Sequence, residues 1–254
     1  MHRWQVAIAT ENPKVLYLVI ELLKKLDLKF VVCPPSDSRC EDVKIVITTA
    51  EDSNNYDTIV NVDEEMDPDF TSIEILSKLN DVHNPSIAVI GVDPGMRFGV
   101  VLVIDGVVTF KNSLTTPGAA ARLTSRLESY VTRLFPECKT IVRAGTGSKL
   151  YSTLYLRNMN QEFPILDIEL VNEHHTTLSG GVTSDQSSAI IIAGRIGRPQ
   201  VEKDRVLELK EGYVRSLKSF VRRHTRGKRE ISSDDARSIL SGNLSLDRIL
   251  NDDF

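Results

Sequence analysis

The chain has 254 residues, 41% of them hydrophobic and 26% charged, with a formal net charge of −4. This is the composition of a folded globular protein, not of a disordered one, and the length serves one large domain or two ordinary ones. No apolar run is long enough for a membrane-crossing helix and residues 1–4 carry no signal-peptide pattern, so the expected setting is cytoplasmic, without membrane contact.

The charge is unevenly placed. Acids outnumber bases about two to one in residues 1–85, and the positive excess falls in the rest, so nucleic acid is expected to meet the second half. The three cysteines, Cys33, Cys40 and Cys138, lack Cys-x-x-Cys spacing and read as buried or incidental thiols, not as a zinc site or a disulfide framework.

In chain order, Val6 to Ala9 reads as a buried strand. Thr10 or Asn12 then caps a helix with Pro13 in its first turn, and apolar residues recur at helical spacing from Val15 to Leu26. Short apolar runs at 30–33, 43–47 and 58–62 read as three more strands, and 70–79 as a helix. Residues 1–84 are thus expected to form a small Rossmann-like α/β domain. Its first strand–helix turn, Ala9-Thr10-Glu11-Asn12-Pro13, has no glycine, which argues against dinucleotide binding. The acidic run 63–69 lacks the alternation and central glycine of a calcium loop and reads as a solvated loop.

Asn84-Pro85 marks a linker. Two β-branched runs then flank Pro94-Gly95, and a third follows Asp105-Gly106, a dipeptide suited to a two-residue hairpin turn. A helix is expected from Ala119 to Leu134, a strand at 140–144, a helix from Lys149 to about Met159, a strand at 165–171 and a helix over about 184–195. Three strands, helix, strand, helix, strand, helix is the element order of a ribonuclease H-like fold. The expectation for 86–200 is therefore a mixed five-stranded sheet with flanking helices, and for 201–254 a basic helical extension.

That order brings three acids to one edge of the sheet: Asp93 ending the first strand, Glu173 ending the last, and Asp185 opening the following helix. Gathered carboxylates repel one another unless a cation holds them, and hard oxygen ligands suit Mg²⁺ or Mn²⁺. Such a site activates water and stabilises the leaving oxygen in phosphodiester cleavage. His174 is a candidate general acid or phosphate contact. The loop Gly145 to Ser148, with Lys149, is a candidate for presenting N–H groups and a cation to phosphate. From Gly212 to Arg229 no acid interrupts a basic run in which Arg215, Lys218, Arg222, Arg223 and Arg226 form a candidate nucleic-acid stripe around an apolar face of Leu217, Phe220 and Val221. Ser232 or Ser233, Gly242 and Ser245 punctuate two short terminal helices that pack on the domain, dimerise the chain or dock substrate.

The stretch Gly91-Val92-Asp93-Pro94-Gly95-Met96-Arg97-Phe98-Gly99-Val100 resembles the first motif of the RuvC and YqgF families of ribonuclease H-like nucleases. Leu170 to Thr177 resembles the Asp-Glu-Arg-x-Thr-Thr motif of the YqgF group, and Ser184 to Ala193 the final acidic helix of both. The resemblance spans about residues 87–197. It implies a metal-dependent nuclease on structured nucleic acid, a DNA junction or ribosomal RNA precursor, with Asp93, Glu173 and Asp185 as metal ligands, Arg97 at the nucleic acid, and a homodimer as one form of assembly. The chain departs from the pattern in three places. Ile141-Val142-Arg143-Ala144 stands where the RuvC type has a Glu, Ser188 where a second Asp would fall, and Asn172 and His174 replace the Asp and Arg of the YqgF motif.

Two rival readings follow. The missing fourth acid suits a nucleic-acid-binding or scaffold protein that kept the fold without catalysis. Asp-x-Gly before a hairpin also occurs in actin-like ATPases and sugar kinases, but these need a second phosphate loop for which the chain after Gly180-Gly181 is too short.

Overall fold

The computed structural model describes residues 5–37, 40, 43–53, 56–162, 166–172 and 185–251. The chain divides into two compact units, Met1–Pro85 and Ser86–Phe254. Among the described residues no helix is long and apolar enough to cross a membrane.

The first unit is built on four parallel strands, β1 (Val6–Ala9), β2 (Phe30–Val32), β3 (Ile45–Thr48) and β4 (Ile59–Asn61), in the order β2-β1-β3-β4. Helix α1 (Pro13–Lys25) starts where the Asn12 side chain accepts from the N–H groups of Lys14 and Val15, with Pro13 at a position that needs no donor. Helix α2 (Pro68–Leu79) repeats the device with Asp67 and Pro68, so one acid of the 63–69 run is a helix cap. Val6 and Ile8 point into a core with Val15, Val19 and Leu23 of α1, while Ala7 and Ala9 point to the other face. There Cys33 and Cys40 form a disulfide with Cα atoms 6.2 Å apart, which corrects the reading of these residues as thiols; Cys138 is free. Both half-cystines are buried beneath β1 with Val46, because the chain after β2 folds back under the sheet. The two are seven residues apart in sequence, outside the Cys-x-x-Cys spacing that the sequence was read for.

The second unit opens with β5 (Ile87–Pro94), β6 (Phe98–Ile104) and β7 (Val107–Leu114), an antiparallel meander. Asp105 and Gly106 both have positive φ, 43° and 86°, as a two-residue hairpin turn with matching twist requires. Helix α3 (Pro117–Leu134) leads to β8 (Lys139–Gly145), which pairs parallel to β5. Helix α4 (Lys149–Glu162) leads to β9 (Ile168–Val171), parallel to β8, and α5 (Asp185–Ala193) follows. A sixth strand, β10 (Arg198–Pro199), pairs antiparallel with β9, so the sheet is one strand larger than expected, in the order β10-β9-β8-β5-β6-β7. Two residues ending in proline leave no periodic pattern to read, and proline is tolerated at an edge.

The C-terminal segment packs within this unit. It comprises a short 3₁₀ turn (Glu202–Arg205), α6 (Glu211–His224), α7 (Ser233–Ser241) and α8 (Leu246–Asn251). The half-buried Arg157 of α4 donates to the carbonyls of Arg205 (2.8 Å), Ile239 (3.0 Å) and Leu240 (2.9 Å), so one guanidinium serves both the 3₁₀ turn and the C-terminal end of α7. Ser232 caps α7 in a capping box with Asp235, and Gly242 ends it at φ 88°.

Candidate functional site

The site is set by which face of the sheet each residue occupies. Side chains alternate along a strand, so Val89, Gly91 and Asp93 of β5 share one face. Their cross-strand partners on β6 are Val103, Val101 and Gly99, which lie on that same face. Helix α5 covers it: Ala189 and Ala193 pack on Val89 and Val101, and two glycines admit the helix backbone. A Cβ at Gly91 would overlap the Ala189 carbonyl and meet the Ala193 Cβ at 2.8 Å; a Cβ at Gly99 would overlap the Asp185 carbonyl. Asp93 is the direct pairing partner of Gly99, and Asp185 is the first residue of the helix resting on Gly99. The Asp185 backbone therefore lies beside the C-terminal end of β5, over the strand position that pairs with Asp93. Asp93 is half-buried, and the Asp185 side chain is 40% exposed.

Arg97, in the turn between β5 and β6, brings its Nε to 3.6 Å from Asp185 Oδ2. The turn is closed by the Gly95 N–H donating to the Arg97 carbonyl at 3.2 Å. On β8 the residues of this face are Ile141, Arg143 and Gly145. Arg143 takes no part in the acidic edge. Its Nε pairs with Glu169 at 2.8 Å and an Nη donates to the Ala193 carbonyl at 2.6 Å, tying β8 and β9 to the C-terminal end of α5. Gly145, one position beyond the β5–β8 pairing that ends at Val92 and Ala144, brings no side chain to Asp93. Glu173 and His174 lie outside the described residues, and among the described residues there is no group of three or more His, Cys, Asp or Glu side chains fit to hold a metal ion.

The basic helix packs on the opposite face of the sheet from α5, through a series of aromatic rings. Phe98, next to Arg97, meets Tyr151 of α4 edge-on at 6.2 Å between centroids. Tyr151 packs on Phe220 of α6 at 5.6 Å, and Phe220 stacks on His224 at 6.0 Å. Burial pushes the Tyr151 phenol up, and the positive charge of Arg223 pulls against it. Val214, Leu217, Phe220 and Val221 are buried, while Arg215, Arg222, Arg223 and Arg226 are exposed. Lys218 is half-buried and reaches the Ser233 hydroxyl at 3.5 Å.

At the start of α4 the Ser148 carbonyl accepts the first helical bond, from Ser152 N–H at 2.9 Å, and Lys149 Nζ, the cation expected at phosphate, donates to the Asp204 carbonyl at 3.2 Å. Lys149 lines a cavity of about 790 Å³ with Thr146, Asn172, Arg198 and Asp204. The Asp204 carboxylate is bound by Arg198 at 2.6 and 2.8 Å and by the Val201 N–H at 2.9 Å, and the Arg198 bond chiefly holds its pKa down to about 2.

Sequence reasoning passed over Gly91 and Gly99, although a glycine inside a β-branched strand signals a close backbone approach. It also passed over a cluster in the first unit. At the C-terminal ends of β1 and β3, where the strand order reverses direction, Asp52 accepts from the hydroxyls of Thr10 (2.6 Å) and Thr49 (2.9 Å) and from the Glu11 N–H (2.9 Å). These bonds, the Thr10 hydroxyl foremost, hold the Asp52 carboxyl below its usual range.

Residues 5–79 match the family model of a response regulator receiver-like domain. The match covers the unit whose four parallel strands have just been described and stops before the second unit. No curated protein matches the chain. Among solved structures, a Marinitoga piezophila Argonaute in complex with 5′ OH guide RNA aligns at 10% identity over 66% of this chain and 39% of its own, with a TM-score of 0.26. That score is too low for the likeness to carry an argument.

Proposed function

We propose that residues 86–254 form a divalent-metal-dependent phosphodiesterase acting on structured nucleic acid, branched DNA or an RNA precursor, on a ribonuclease H-like sheet. The observation that supports the reading is the placement of the first residue of α5, Asp185, over Gly99, the pairing partner of Asp93. The second unit has the expected element order, three antiparallel strands followed by helix, strand, helix, strand and helix on one mixed sheet, and the motif from Gly91 to Val100 supports the same family reading.

The donor set fits a hard cation. Two carboxylates, one at a strand end and one at a helix start, offer oxygen ligands for Mg²⁺ or Mn²⁺, with Glu173 as the third candidate. A cation held there supplies an activated water and charge stabilisation at the leaving oxygen. The chain's own contribution is placement. The glycine pair lets the start of α5 rest beside the end of β5, Arg97 brings a guanidinium to Asp185, and the exposed arginines of α6 offer a separate surface for phosphate backbone.

The test is cleavage of branched DNA and structured RNA by the purified chain with Mg²⁺ or Mn²⁺. Wild type cuts and Asp93→Asn does not; equal cleavage by both defeats the reading. The Arg97–Asp185 ion pair and the bare Gly145 favour a second reading, a nucleic-acid-binding protein without catalysis. Tight binding with no metal-dependent cleavage on either substrate selects it.

A further inference from the structure

Helix α8 meets the rest of its unit through negative groups. Asp247 is 7% exposed, and its Oδ1 accepts from the Gly118 N–H at 3.1 Å, in the first turn of the 18-residue helix α3. A helix start presents such donors at its positive end, where an anion is favoured. Gly118 lets the carboxylate come that close: a Cβ there would overlap Asp247 Oδ1. The second oxygen, Oδ2, is buried and has no hydrogen-bond partner. Two positions further along α8, the Ile249 carbonyl accepts from the Arg229 guanidinium, the last cation of the basic run that begins on α6.

A helix start and an arginine are both groups that bind phosphate. One short helix touches the two, so they lie about one helix diameter apart, about 10–12 Å. That is a span of about three phosphates along one strand. The contact is also not built for permanence. A buried carboxylate oxygen left unpaired carries its desolvation cost without return, and of the described side chains of α8 only Leu246 and Asp247 are buried.

We propose that the start of α3, with Arg229, is a phosphate-binding site and that α8 occupies it as an internal competitor, the Asp247 carboxylate standing where a phosphate oxygen binds. The inference rests on the nucleic-acid part of the reading above and is independent of the metal. Release of α8 exposes the Gly118 N–H and Arg229 together, next to the arginines of α6.

The experiment follows the Gly118 amide resonance of the isotope-labelled full chain as inorganic phosphate is added, against sodium chloride of equal ionic strength. In Asp247→Ala the resonance moves saturably with phosphate; in wild type and in Asp247→Asn, which keeps an acceptor on the Gly118 N–H, it does not. Branched DNA added to wild type speeds hydrogen exchange in residues 246–251 while Gly118 stays protected, and Asp247→Ala binds that DNA about two- to tenfold tighter, what one hydrogen bond is worth. A Gly118 resonance that phosphate leaves unmoved in folded Asp247→Ala removes the site, and wild type that binds DNA with 246–251 still protected removes the competition; both leave the nucleic-acid reading standing. Wild type and variant that both fail to bind DNA defeat that reading, and the competitor role with it.

Discussion

Gly99 and Asp185 are in backbone contact: the helix that carries the acid rests on the strand at a residue with no side chain, and a methyl group there would overlap the Asp185 carbonyl. The position of the second acid is thus a packing consequence of the first strand pair. Gly99→Ala should displace the start of α5 and cost about 1–3 kcal/mol as overpacking. Gly212→Ala, with nothing within 4 Å of the added carbon and a helical backbone, should be neutral or stabilising by up to about 1 kcal/mol. Urea denaturation of the two variants reads the difference, and equal stability would mean that the close approach at Gly99 is absent.

The Arg198–Asp204 pair sets a pH dependence. The Asp204 carboxyl sits at about 2 in the folded chain against 3.8 ordinarily, chiefly through its bonds to Arg198. A depressed folded pKa contributes stability above the unfolded value and loses it as pH falls through the folded one. Arg198 is half-exposed, which limits the contribution to about 1–2 kcal/mol. Asp204→Asn should therefore be less stable than wild type above about pH 4, and the gap should close between about pH 4 and pH 2. A gap independent of pH would assign the difference to packing.

Asp247 reaches from α8 to the start of α3, where its Oδ1 accepts from the Gly118 N–H at 3.1 Å inside a buried pocket. The carboxylate sits at the positive end of a helix, and its truncation leaves a buried donor unmade. Asp247→Ala should cost about 1–3 kcal/mol, and Asp247→Asn, which keeps an acceptor, less. If thermal denaturation finds the two variants alike, the charge is what counts and not the hydrogen bond.

Arg222 and Arg223 of α6 and Arg226 in the turn after it are exposed, while the buried face of that helix packs on Tyr151, which in turn meets Phe98. Replacing all three by Ala should leave the melting temperature nearly unchanged and weaken binding to every nucleic-acid sequence alike. The slope of log affinity against log salt should fall by about 0.7–0.9 for each phosphate that the variant no longer neutralises. An unchanged slope would put the nucleic-acid surface elsewhere.

The meander β5–β7 was legible because β-branched runs and an Asp-Gly turn are local signals, and the caps at Asn12 and Ser232 for the same reason. What was not legible depends on partners distant in sequence. The meaning of Gly99 lies with a helix that begins at Asp185. Arg143 reads as a missing acid until its partners Glu169 and Ala193 are seen. The Cys33–Cys40 bridge depends on a loop folding back under β1. Of the acids inferred from sequence, Asp185 opens the helix that rests on Gly99, the pairing partner of Asp93, and Glu173, with His174, lies outside the described residues.

The most direct measurement of the central claim is the anomalous diffraction of Mn²⁺ in crystals of the full chain. The account predicts a peak bound by carboxylate oxygens of both Asp93 and Asp185. Saturating Mn²⁺ with no peak at either acid would contradict it.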